Sequence, residues 1–411
     1  MNIKSLKYRT RRFCAFIIGA VFLLAGMFKL LDPVGAGLVM EEYFRFLHVT
    51  FMMPAAKVLA VALAVFECIL GAALVTGVWR KPVAVITTVV IGLFSILTFV
   101  MAVTKSEMDC GCFGEVIHLT SWQTYFKNLI LLALALAAFV PYRNLGSNKR
   151  RKFVSFSIVT VSVIAFAVYS LTTLPMWDFT SFAPGSELLS AGSPSQSDAS
   201  DSDDFIATFI YEKDGQEGAF SLDRLPDSTW TFVRTETVRR NLPSDDAGIA
   251  LLSFSDSSGT YCDELAAKGN VLVLSVHDVE GLKGDDWTRI SGTVEDASGA
   301  GFTPLLLVSC TKEAFDSLSV LLPEVRSAIV PSLYFSDRKT LITLNRSNGG
   351  ATWFNDGQLI RKFHFKSLPS DEDLVKMTGD DPTETMLKNK TEGRLHYQGF
   401  LLYLFAVLLL L

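Results

Sequence analysis

Two cysteines separated by a single glycine are the residues of this chain best suited to chemistry. They lie in the stretch Asp109-Cys110-Gly111-Cys112-Phe113-Gly114, between two long apolar runs. A free cysteine is retained for its reactivity more than for its packing. The pair can form a disulfide only if the backbone folds sharply, which Gly111 allows because glycine adopts positive φ at little cost. Since such a small ring is strained, and strained disulfides are labile, the spacing predicts a redox pair rather than a structural crosslink.

Thiol chemistry in this loop depends on nearby charge, because the thiolate is the attacking species. His118 and Lys105 are the cationic candidates, and Asp109 and Glu115 oppose them. Two other interpretations stay open. The cysteines could be unreactive loop residues, or they could bind zinc or copper with His118 and Asp109 or Glu115. Because no second group of Cys and His stands nearby to complete four ligands, we expect no metal site.

The composition indicates a membrane protein. The chain has 411 residues, of which 50% are hydrophobic, and its mean hydropathy is +0.35, both high for a soluble protein. The formal net charge of -5 is strongly segregated along the chain, so it defines no partner, and we expect no nucleic acid. Six cysteines are too few for a disulfide-rich scaffold.

Five apolar runs are long enough to cross a bilayer core of about 30 Å at about 1.5 Å per residue. They are Phe13 to about Leu31, Pro54–Trp79, Val83–Val103, Trp122–Val140 and Phe153–Leu174. Basic residues collect before the first run, in the Arg80-Lys81 turn and from Arg143 to Lys152, so we expect these to face the cytoplasm. The 32–53 loop, the Cys-Gly-Cys loop and everything after Leu174 then lie outside, where disulfides persist.

Four ionisable residues lie in or near these runs. Lys29, Lys57 and Lys127 are near the outer ends, where a lysine extends its ammonium group to water as readily as it serves a function. Glu67 is near the middle of the second run, where a carboxylate is costly. It is either a protonated or internally hydrogen-bonded packing residue, or it handles protons or pairs within the bundle. The predicted supporting residues of the cysteine site are Asp109, Gly111, His118, Glu67 and Lys29.

The remainder reads as a linker followed by a soluble α/β domain. Ser186 to Asp204 is rich in Ser, Asp, Gly and Pro, which is typical of a linker. The predicted strands are Phe205–Glu212, Ala247–Phe254, Val271–Val276, Pro304–Ser309, Ala351–Phe354 and Gln358–Phe363, with Asp214-Gly215 as a turn. The predicted helices are Asp286–Ala297, Lys312–Leu321, Arg338–Asn345 and Asp371–Met377. Parallel strand-helix-strand units followed by an Asp-Gly hairpin and a helix are the order of a thioredoxin-like domain.

The predicted fold is an all-α membrane bundle of four core transmembrane helices plus a fifth, with a C-terminal extracytoplasmic α/β thioredoxin-like domain. The predicted domains are the four-helix bundle at 1–145, the fifth helix at 146–178, a linker at 179–204, the soluble domain at 205–390 and a C-terminal membrane tail at 396–411. As a helix, the thirteen residues from Gly399 to Leu411 reach only about 20 Å. We expect this tail to end inside the bilayer or to begin a sixth span whose remainder the chain lacks.

The soluble domain carries no thiol pair at the usual thioredoxin position. The strand ending at Val276 is followed by His277-Asp278-Val279-Glu280 instead of Cys-x-x-Cys. Cys262 precedes that strand and Cys310 ends the next one, so ordinary burial is favoured over pairing for both. His277 and Asp278 are expected in a solvated loop.

The membrane part resembles the DoxX-like family, and within it the MauE-like redox-associated membrane proteins of methylamine utilisation. The resemblance covers about residues 10–185. It rests on Gly26-Met27-Phe28-Lys29, Asp32-Pro33-Val34-Gly35, Glu42-Tyr43-Phe44, Glu67 with Gly71, and the stretch from Asp109 to Gly114 leading to Leu119-Thr120-Ser121-Trp122-Gln123-Thr124. It implies a four-helix bundle with the cysteines at its outer face, which acts with a thioredoxin-like partner in disulfide chemistry on exported proteins.

The remainder is similar to the thioredoxin-like regions fused to such bundles in some bacteria. The similarity rests on Leu225-Pro226-Asp227-Ser228-Thr229-Trp230 and Arg346-Ser347-Asn348. Gly349 or Gly350 replaces the proline that usually precedes the hairpin strand. Together with the missing Cys-x-x-Cys, this departure disfavours independent thioredoxin catalysis.

We therefore expect a multi-pass protein of the bacterial inner membrane whose Cys110 and Cys112 take part in extracytoplasmic thiol–disulfide exchange. The expected partners are the lipid bilayer and a thiol-containing exported protein or a thioredoxin-like partner. A quinone in the bundle is a candidate electron acceptor, although no sequence motif indicates it. The alternative is a non-catalytic, membrane-anchored binding or assembly module, which the absence of a second cysteine pair favours.

Overall fold

The structure is a computed structural model that describes residues 3–104, 111–115, 119–140, 150–176, 178–188, 205–213, 216–221, 231–239, 249–318, 320 and 322–411. It divides into two compact units. The first, called the membrane unit, comprises Met1–Phe179 and Glu392–Leu411. The second, called the sheet unit, comprises Thr180–Thr391.

Six of the described helices precede the sheet unit along the chain. The helices are α1 (Ile3–Leu31), α2 (Pro33–Phe46), α3 (Ala56–Thr76), α4 (Arg80–Val103), α5 (Ser121–Phe139), α6 (Arg150–Thr172), α7 (Gly284–Gly299), α8 (Lys312–Asp316), α9 (Pro323–Ile329), α10 (Arg338–Leu344), α11 (Asp371–Gly379) and α12 (Pro382–Leu410). The strands are β1 (Cys112–Glu115), β2 (Glu187–Leu188), β3 (Phe205–Lys213), β4 (Gln216–Ser221), β5 (Thr231–Arg239), β6 (Ile249–Ala250), β7 (Asn270–Val276), β8 (Thr303–Val308), β9 (Leu333–Phe335), β10 (Gly350–Asn355) and β11 (Gln358–Phe363).

Six helical segments of the described residues are long and apolar enough to cross a membrane, judged by length and composition. They are Tyr8–Leu31, Thr50–Thr76, Arg80–Val103, Ser121–Phe139, Lys152–Thr172 and Pro382–Leu410. The first five coincide with the five predicted spans. The sixth contains the predicted tail but begins well before it, at Pro382.

Helix α2 occupies part of the stretch predicted as the 32–53 loop. Asp32 caps it, because its Oδ1 accepts the backbone N–H of Gly35 at 2.9 Å, and Pro33 fills the first helical position. An aspartate followed by proline is an ordinary signal for a helix start. A Cβ atom on Gly37 would lie 3.1 Å from the Cα of Lys57, so α2 packs closely on the start of α3.

Helices α1 and α3 run antiparallel with their backbones in contact at glycines. A Cβ atom on Gly71 would lie 2.6 Å from the carbonyl oxygen of Gly19, and one on Gly26 would lie 2.5 Å from the carbonyl oxygen of Ala64. Small residues at helix interfaces are usual in membranes, because close backbone packing replaces the hydrophobic driving force that water supplies. This approach fixes the register of α1 against α3, on which the candidate site depends.

Helices α6 and α12 pack antiparallel within the membrane unit. The Tyr403 hydroxyl donates to Ser162 Oγ at 3.0 Å, and the Phe166 ring lies 5.6 Å from that of Phe400. At the far end, Lys152 Nζ donates to the carbonyl oxygen of Leu411 at 2.6 Å. Because Lys152 begins the fifth span, the tail reaches the end of its neighbour rather than stopping midway. This favours the sixth span among the two outcomes expected for the tail, with its remainder supplied by residues before 396.

The sheet unit contains a seven-stranded mixed sheet in the order β6-β2-β11-β10-β7-β8-β9. Strands β7, β8 and β9 are parallel, and β10 is antiparallel to both β7 and β11. The turn between β10 and β11 lies at Asp356 and Gly357, whose φ angles are 46° and 79°, as the Asp-Gly signal predicts. A separate antiparallel sheet has the order β4-β3-β5; the predicted turn at Asp214-Gly215 between β3 and β4 lies outside the described residues.

Helices cover both faces of the larger sheet. Leu272 and Leu274 of β7 pack with Trp287 of α7, whereas Val271 and Val273 pack with Leu341 of α10 on the other face. Burial on both faces explains why β7 is an almost continuous apolar run rather than an alternating one.

Three stretches of the sheet unit differ from the prediction. Of the strand predicted at Ala247–Phe254, the structure describes residues 249–254, and only Ile249–Ala250 of these form a strand, β6. The helix predicted at Lys312–Leu321 ends at Asp316, and the carbonyl oxygens of Asp316 and Leu318 accept hydrogen bonds from Arg326 Nη2. Within the predicted linker, Phe182 is buried in the core and Glu187 pairs with Gln358 and Ile249.

Candidate functional site

The candidate thiol site lies on β1 in the membrane unit. Cys112 begins the strand and is half-buried. Of the other predicted site residues, Asp109, Cys110 and His118 lie outside the described residues. The structure therefore describes one of the two cysteines and its surroundings.

Two glycines allow β1 to lie tightly against the helices. Gly111 has φ +56°, and a Cβ atom on it would collide with Val39 of α2. Gly114 has φ +63°, and its Cβ position lies 3.4 Å from the Phe28 carbonyl oxygen and 3.5 Å from Lys29 Cα. Both glycines meet the requirement of positive φ, which other residues adopt only with strain. Their placement brings the strand into contact with the end of α1 that carries Lys29.

Lys29 and Glu67 form a buried ion pair between α1 and α3. The Lys29 ammonium group lies 2.7 Å from both Oε1 and Oε2 of Glu67. The two side chains are 10% and 5% exposed. The alternative that Lys29 extends to water is therefore wrong, since its charge is directed into the bundle. A buried pair of this kind is stable only while both partners are present, because either charge alone is costly in low dielectric.

The ion pair lies within electrostatic range of the thiol strand. Both Cys112 and Lys127 are close enough to interact with the charge of Glu67. Lys127 Nζ also lies 5.0 Å above the ring of Phe113, the residue that follows Cys112, which is a cation–π distance. Lys29, Glu67, Lys127 and Cys112 thus form one electrostatic group on α1, α3, α5 and β1.

Within this group a negative charge can move from Glu67 to Cys112 without any additional charge being formed. If Cys112 gives its proton to Glu67, the carboxyl group becomes neutral and Lys29 remains as the positive neighbour of the new thiolate. The charge count before and after is one cation and one anion for these three residues. Because separating new charge in low dielectric is expensive, an exchange of this kind costs less free energy than forming a thiolate that no cation balances.

The remaining described cysteines differ from Cys112 in position: Cys68 also lies within electrostatic range of Glu67 and Lys29, but it is fully buried in α3. Cys14 and Cys68 are buried in α1 and α3, and Cys68 Sγ contacts the Leu23 carbonyl oxygen at 3.8 Å. Cys262 and Cys310 pack on opposite faces of the large sheet, so they cannot pair with each other in this fold. Burial raises the pKa of the Cys310 thiol to about 11, which leaves it protonated at neutral pH. Among the residues that the structure describes, no group of three or more His, Cys, Asp or Glu could hold a metal ion.

The loop after β7 is fixed by hydrogen bonds rather than built for thiol chemistry. The backbone N–H groups of His277 and Asp278 both donate to Asn348 Oδ1 at 3.0 Å, and Asn348 Nδ2 donates to the Asp278 carbonyl oxygen at 2.7 Å. Ser309 Oγ donates to the His277 carbonyl oxygen at 2.8 Å. Asn348 thus fixes the backbone of the loop after β7 from both sides.

Sequence reasoning identified Lys29 and Glu67 singly but did not pair them, and it gave Lys127 no role. The signal that could have paired them is the glycine spacing. Gly26 on α1 and Gly71 on α3 mark where the two helices touch, and Lys29 and Glu67 follow and precede those contacts by one turn. No pattern in the sequence predicts the close approach of Val39 to Gly111.

The comparisons with known proteins bear on the part of the chain that carries this site. Residues 8–141 match the model of a family described as methylamine utilisation protein MauE. Residues 205–246 match a domain of unknown function, DUF8463. No curated protein and no solved structure matches the chain.

The first match spans α1 to α5 and β1, and so includes the candidate site. Together with the six apolar helices among the described residues, it supports a MauE-like, multi-pass membrane protein. The MauE part of the expected resemblance is thereby confirmed. The DoxX-like and thioredoxin-like parts stay predictions.

Proposed function

We propose that this protein carries out thiol–disulfide exchange at the outer face of the bacterial inner membrane, in the maturation of exported proteins for methylamine utilisation. The observation that carries the proposal is the buried Lys29–Glu67 pair within electrostatic range of Cys112. A loop needed only for its shape does not require an ion pair beneath it. The match of this region to MauE supports the biological setting.

In the proposed reaction the Cys110–Cys112 disulfide accepts two electrons from a client dithiol. A client thiolate attacks one loop sulfur, which forms a mixed disulfide and releases the other loop cysteine as a thiolate. The second client thiol attacks the mixed disulfide, so that the client leaves oxidised and the loop holds two thiols. The loop is reoxidised by transfer of two electrons and two protons to a quinone or to the disulfide of a thioredoxin-like partner.

Glu67 is proposed to hold and return the proton of Cys112 during this cycle, and Lys29 to balance the charge. Reoxidation requires a thiolate on the loop, and the group described above supplies one without net charge separation. Lys127 adds a second cation near the same carboxylate. Glu67 and Lys29 would therefore affect the rate of reoxidation more than the binding of a client.

The sheet unit is proposed to be an extracytoplasmic, thioredoxin-like module that binds a client without exchanging electrons itself. Its mixed sheet with helices on both faces supports this assignment. Its two described cysteines lie on opposite faces, and Asn348 closes the loop after β7. A binding role fits these features better than catalysis does.

A second candidate function is a non-catalytic assembly module. The fit of Gly111 against Val39 favours it, because the glycine of the Cys-Gly-Cys motif has a packing role in any case. Under this function the cysteines contribute shape alone.

The experiment that separates the two functions uses the purified, oxidised protein and a reduced peptide with two cysteines. We expect the wild type to oxidise about one peptide per chain, and Cys110→Ser and Cys112→Ser each to leave the peptide reduced, because a loop with one cysteine has no disulfide to exchange. Cys14→Ser is the matched control and should behave as wild type. Equal peptide oxidation by the wild type and both loop variants would instead support the assembly function.

A further inference from the structure

A groove on the membrane unit begins beside the thiol strand and runs along α1 and α5. It is lined by Ile17 and Val21 of α1, by Phe113 of β1 and by residues of α5 from Gln123 to Leu134. Its volume is about 570 Å³, within the range of about 300–1,000 Å³ that is usual for small-molecule sites. Because Phe113 follows Cys112 directly in the chain, the groove starts next to the proposed redox pair.

The groove is polar at one end and apolar along the rest of its length. Of the described residues that line it, Lys127 carries a charge, Gln123 carries an amide and the others are apolar. Both polar residues lie in the first two turns of α5. Leu134 lies about 16 Å from Gln123 along the helix axis. This pattern fits an amphiphile that has a small polar head and an apolar tail.

Lys127 connects the polar end of the groove to the electrostatic group of the thiol site. Its Nζ lies 5.0 Å from the centre of the Phe113 ring, and its charge acts on Glu67. Gln123 is held by the capping box of α5, in which its Oε1 accepts the backbone N–H of Thr120 at 3.0 Å. The head of a ligand at this end therefore meets an ammonium donor, an aromatic ring and an amide.

The groove opens toward the face of α5 that contacts lipid. Two of its lining residues, Phe126 and Ile130, are 56% and 62% exposed. Exposed apolar side chains on a membrane-spanning helix lie against lipid tails, which are as apolar as they are. A ligand dissolved in the bilayer can therefore enter the groove sideways without passing through water.

We propose that this groove binds an isoprenoid quinone, which accepts the electrons of the reduced Cys110–Cys112 pair. The proposal rests on the thiol exchange proposed above and names its electron acceptor. A quinone ring carries neutral carbonyl acceptors, for which the ammonium group of Lys127 is a sufficient donor. The phosphate of an anionic phospholipid is usually bound by several cations, whereas Lys127 is the one cation among the described residues of this groove.

The proposed step transfers two electrons and two protons. The S–H bonds of both cysteines break as the S–S bond forms, and the two carbonyl oxygens of the quinone gain the two electrons and two protons to give the quinol. Negative charge develops on the ring oxygens during this transfer, and an ammonium group beside them stabilises that charge. Lys127 therefore acts on the acceptor, whereas Glu67 acts on the thiol.

The test uses the full-length protein in detergent, a reduced peptide with two cysteines, and decylubiquinone as the probe. We expect repeated oxidation of the peptide, with one decylubiquinone reduced per peptide. Lys127→Met should lower the turnover rate about tenfold, as for loss of a charge-assisted contact. Lys127→Arg keeps a cationic donor and should retain most of the rate.

A matched pair of tryptophan variants tests the groove itself. Ile130→Trp fills the groove at a position that is 62% exposed, so the fold accommodates it, and it should raise the KM for decylubiquinone about tenfold. Leu129 is the neighbouring residue, is 43% exposed and does not line the groove. Leu129→Trp should change the KM less than about twofold.

A single turnover without quinone separates this proposal from the thiol exchange. If the oxidised wild type oxidises the peptide once but never reduces decylubiquinone, or if Ile130→Trp and Leu129→Trp have equal effects, the quinone site is overturned and the thiol exchange stands. Photolabelling by an azidoquinone is a readout independent of the peptide, and it should mark α5 in the wild type but not in Ile130→Trp. Such labelling without any peptide oxidation would support the quinone site and contradict the thiol exchange. Competition by phosphatidylglycerol as effective as by decylubiquinone would overturn the proposal in favour of a groove for bilayer lipid.

Discussion

The ammonium group of Lys29 lies 2.7 Å from both carboxylate oxygens of Glu67, in the interior of the membrane unit. The two residues come from antiparallel helices that touch through glycines, so neither can move away from the other without separating the helices. Cys112 lies within electrostatic range of the Glu67 carboxylate. The pair therefore links the packing of the bundle to the chemistry proposed for the loop.

Removal of one partner of this pair should destabilise the protein more than removal of both. Lys29→Met or Glu67→Met leaves one charge buried alone, which should lower the free energy of unfolding by about 3–5 kcal/mol, whereas the double variant Lys29→Met/Glu67→Met leaves no buried charge. Unfolding of the detergent-solubilised protein measures the difference. Lys81→Met, which removes an exposed lysine, is the control. If the two single changes simply add in the double variant, the buried pair is not formed.

An alanine at the contact of α1 and α3 should destabilise the bundle, whereas one on the free face of α4 should not. In Gly71→Ala the new methyl group would lie 2.6 Å from the Gly19 carbonyl oxygen, and such overpacking costs about 1–3 kcal/mol. Gly92→Ala has no heavy atom within 4 Å and should be neutral or stabilising by up to about 1 kcal/mol. Thermal unfolding of the two variants provides the comparison; equal unfolding temperatures would contradict the close packing.

Cys310 should alkylate slowly in the folded protein. Burial raises its pKa to about 11 from an ordinary value of 9.0, so at pH 8 its thiolate fraction, and hence its rate, is about a hundredfold lower than in the urea-unfolded chain. Iodoacetamide labelling followed by peptide mass spectrometry measures both rates. Similar rates in the folded and unfolded chains would disprove the burial of this thiol.

The raised pKa of Cys310 also makes the folding stability of the protein decrease at high pH. Because the folded pKa is raised, the contribution of the neutral thiol is fully present below about pH 9 and is lost as the pH rises through about 11. Cys310→Ser should unfold with less dependence on pH in this window than the wild type.

A probe at Leu411 should be accessible from the same side of the membrane as one at Arg150. The Lys152 ammonium group donates to the Leu411 carbonyl oxygen, so both positions lie at one end of the bundle, the end predicted to be cytoplasmic. In intact spheroplasts a membrane-impermeant maleimide should label Ser195→Cys but neither Leu411→Cys nor Arg150→Cys. Labelling of Leu411→Cys together with Ser195→Cys would show that α12 does not reach across the bilayer.

The parts of the fold that the sequence predicts correctly are those that depend on residues close together in the chain. Five apolar runs gave five helices, and Asp356-Gly357 gave the hairpin turn, because length and turn chemistry act within a few residues. The missed elements depend on distant partners. Strand β9 is three residues long and exists through its pairing with β8, and α12 continues from the sheet unit into the tail without any apolar signal before residue 399.

The site was predictable by residue type but not by arrangement. Cys112, Glu67 and Lys29 were singled out because thiols and charges are unusual in such surroundings. Their grouping depends on the register of α1 against α3 and on the seating of β1 by Gly111 and Gly114. Register of this kind is set by interhelical contact, which no single stretch of sequence contains.

The redox equilibrium of the Cys-Gly-Cys loop tests the central claim most directly. The purified protein is equilibrated with a series of glutathione ratios, and the fraction of chains with a Cys110–Cys112 disulfide is measured by mass spectrometry after thiol labelling. We expect a reversible two-electron transition in the wild type, with a reduction potential above about −300 mV, the range of labile rather than structural disulfides. A loop that stays reduced at every ratio, or a disulfide that none of the ratios reduces, would contradict the account.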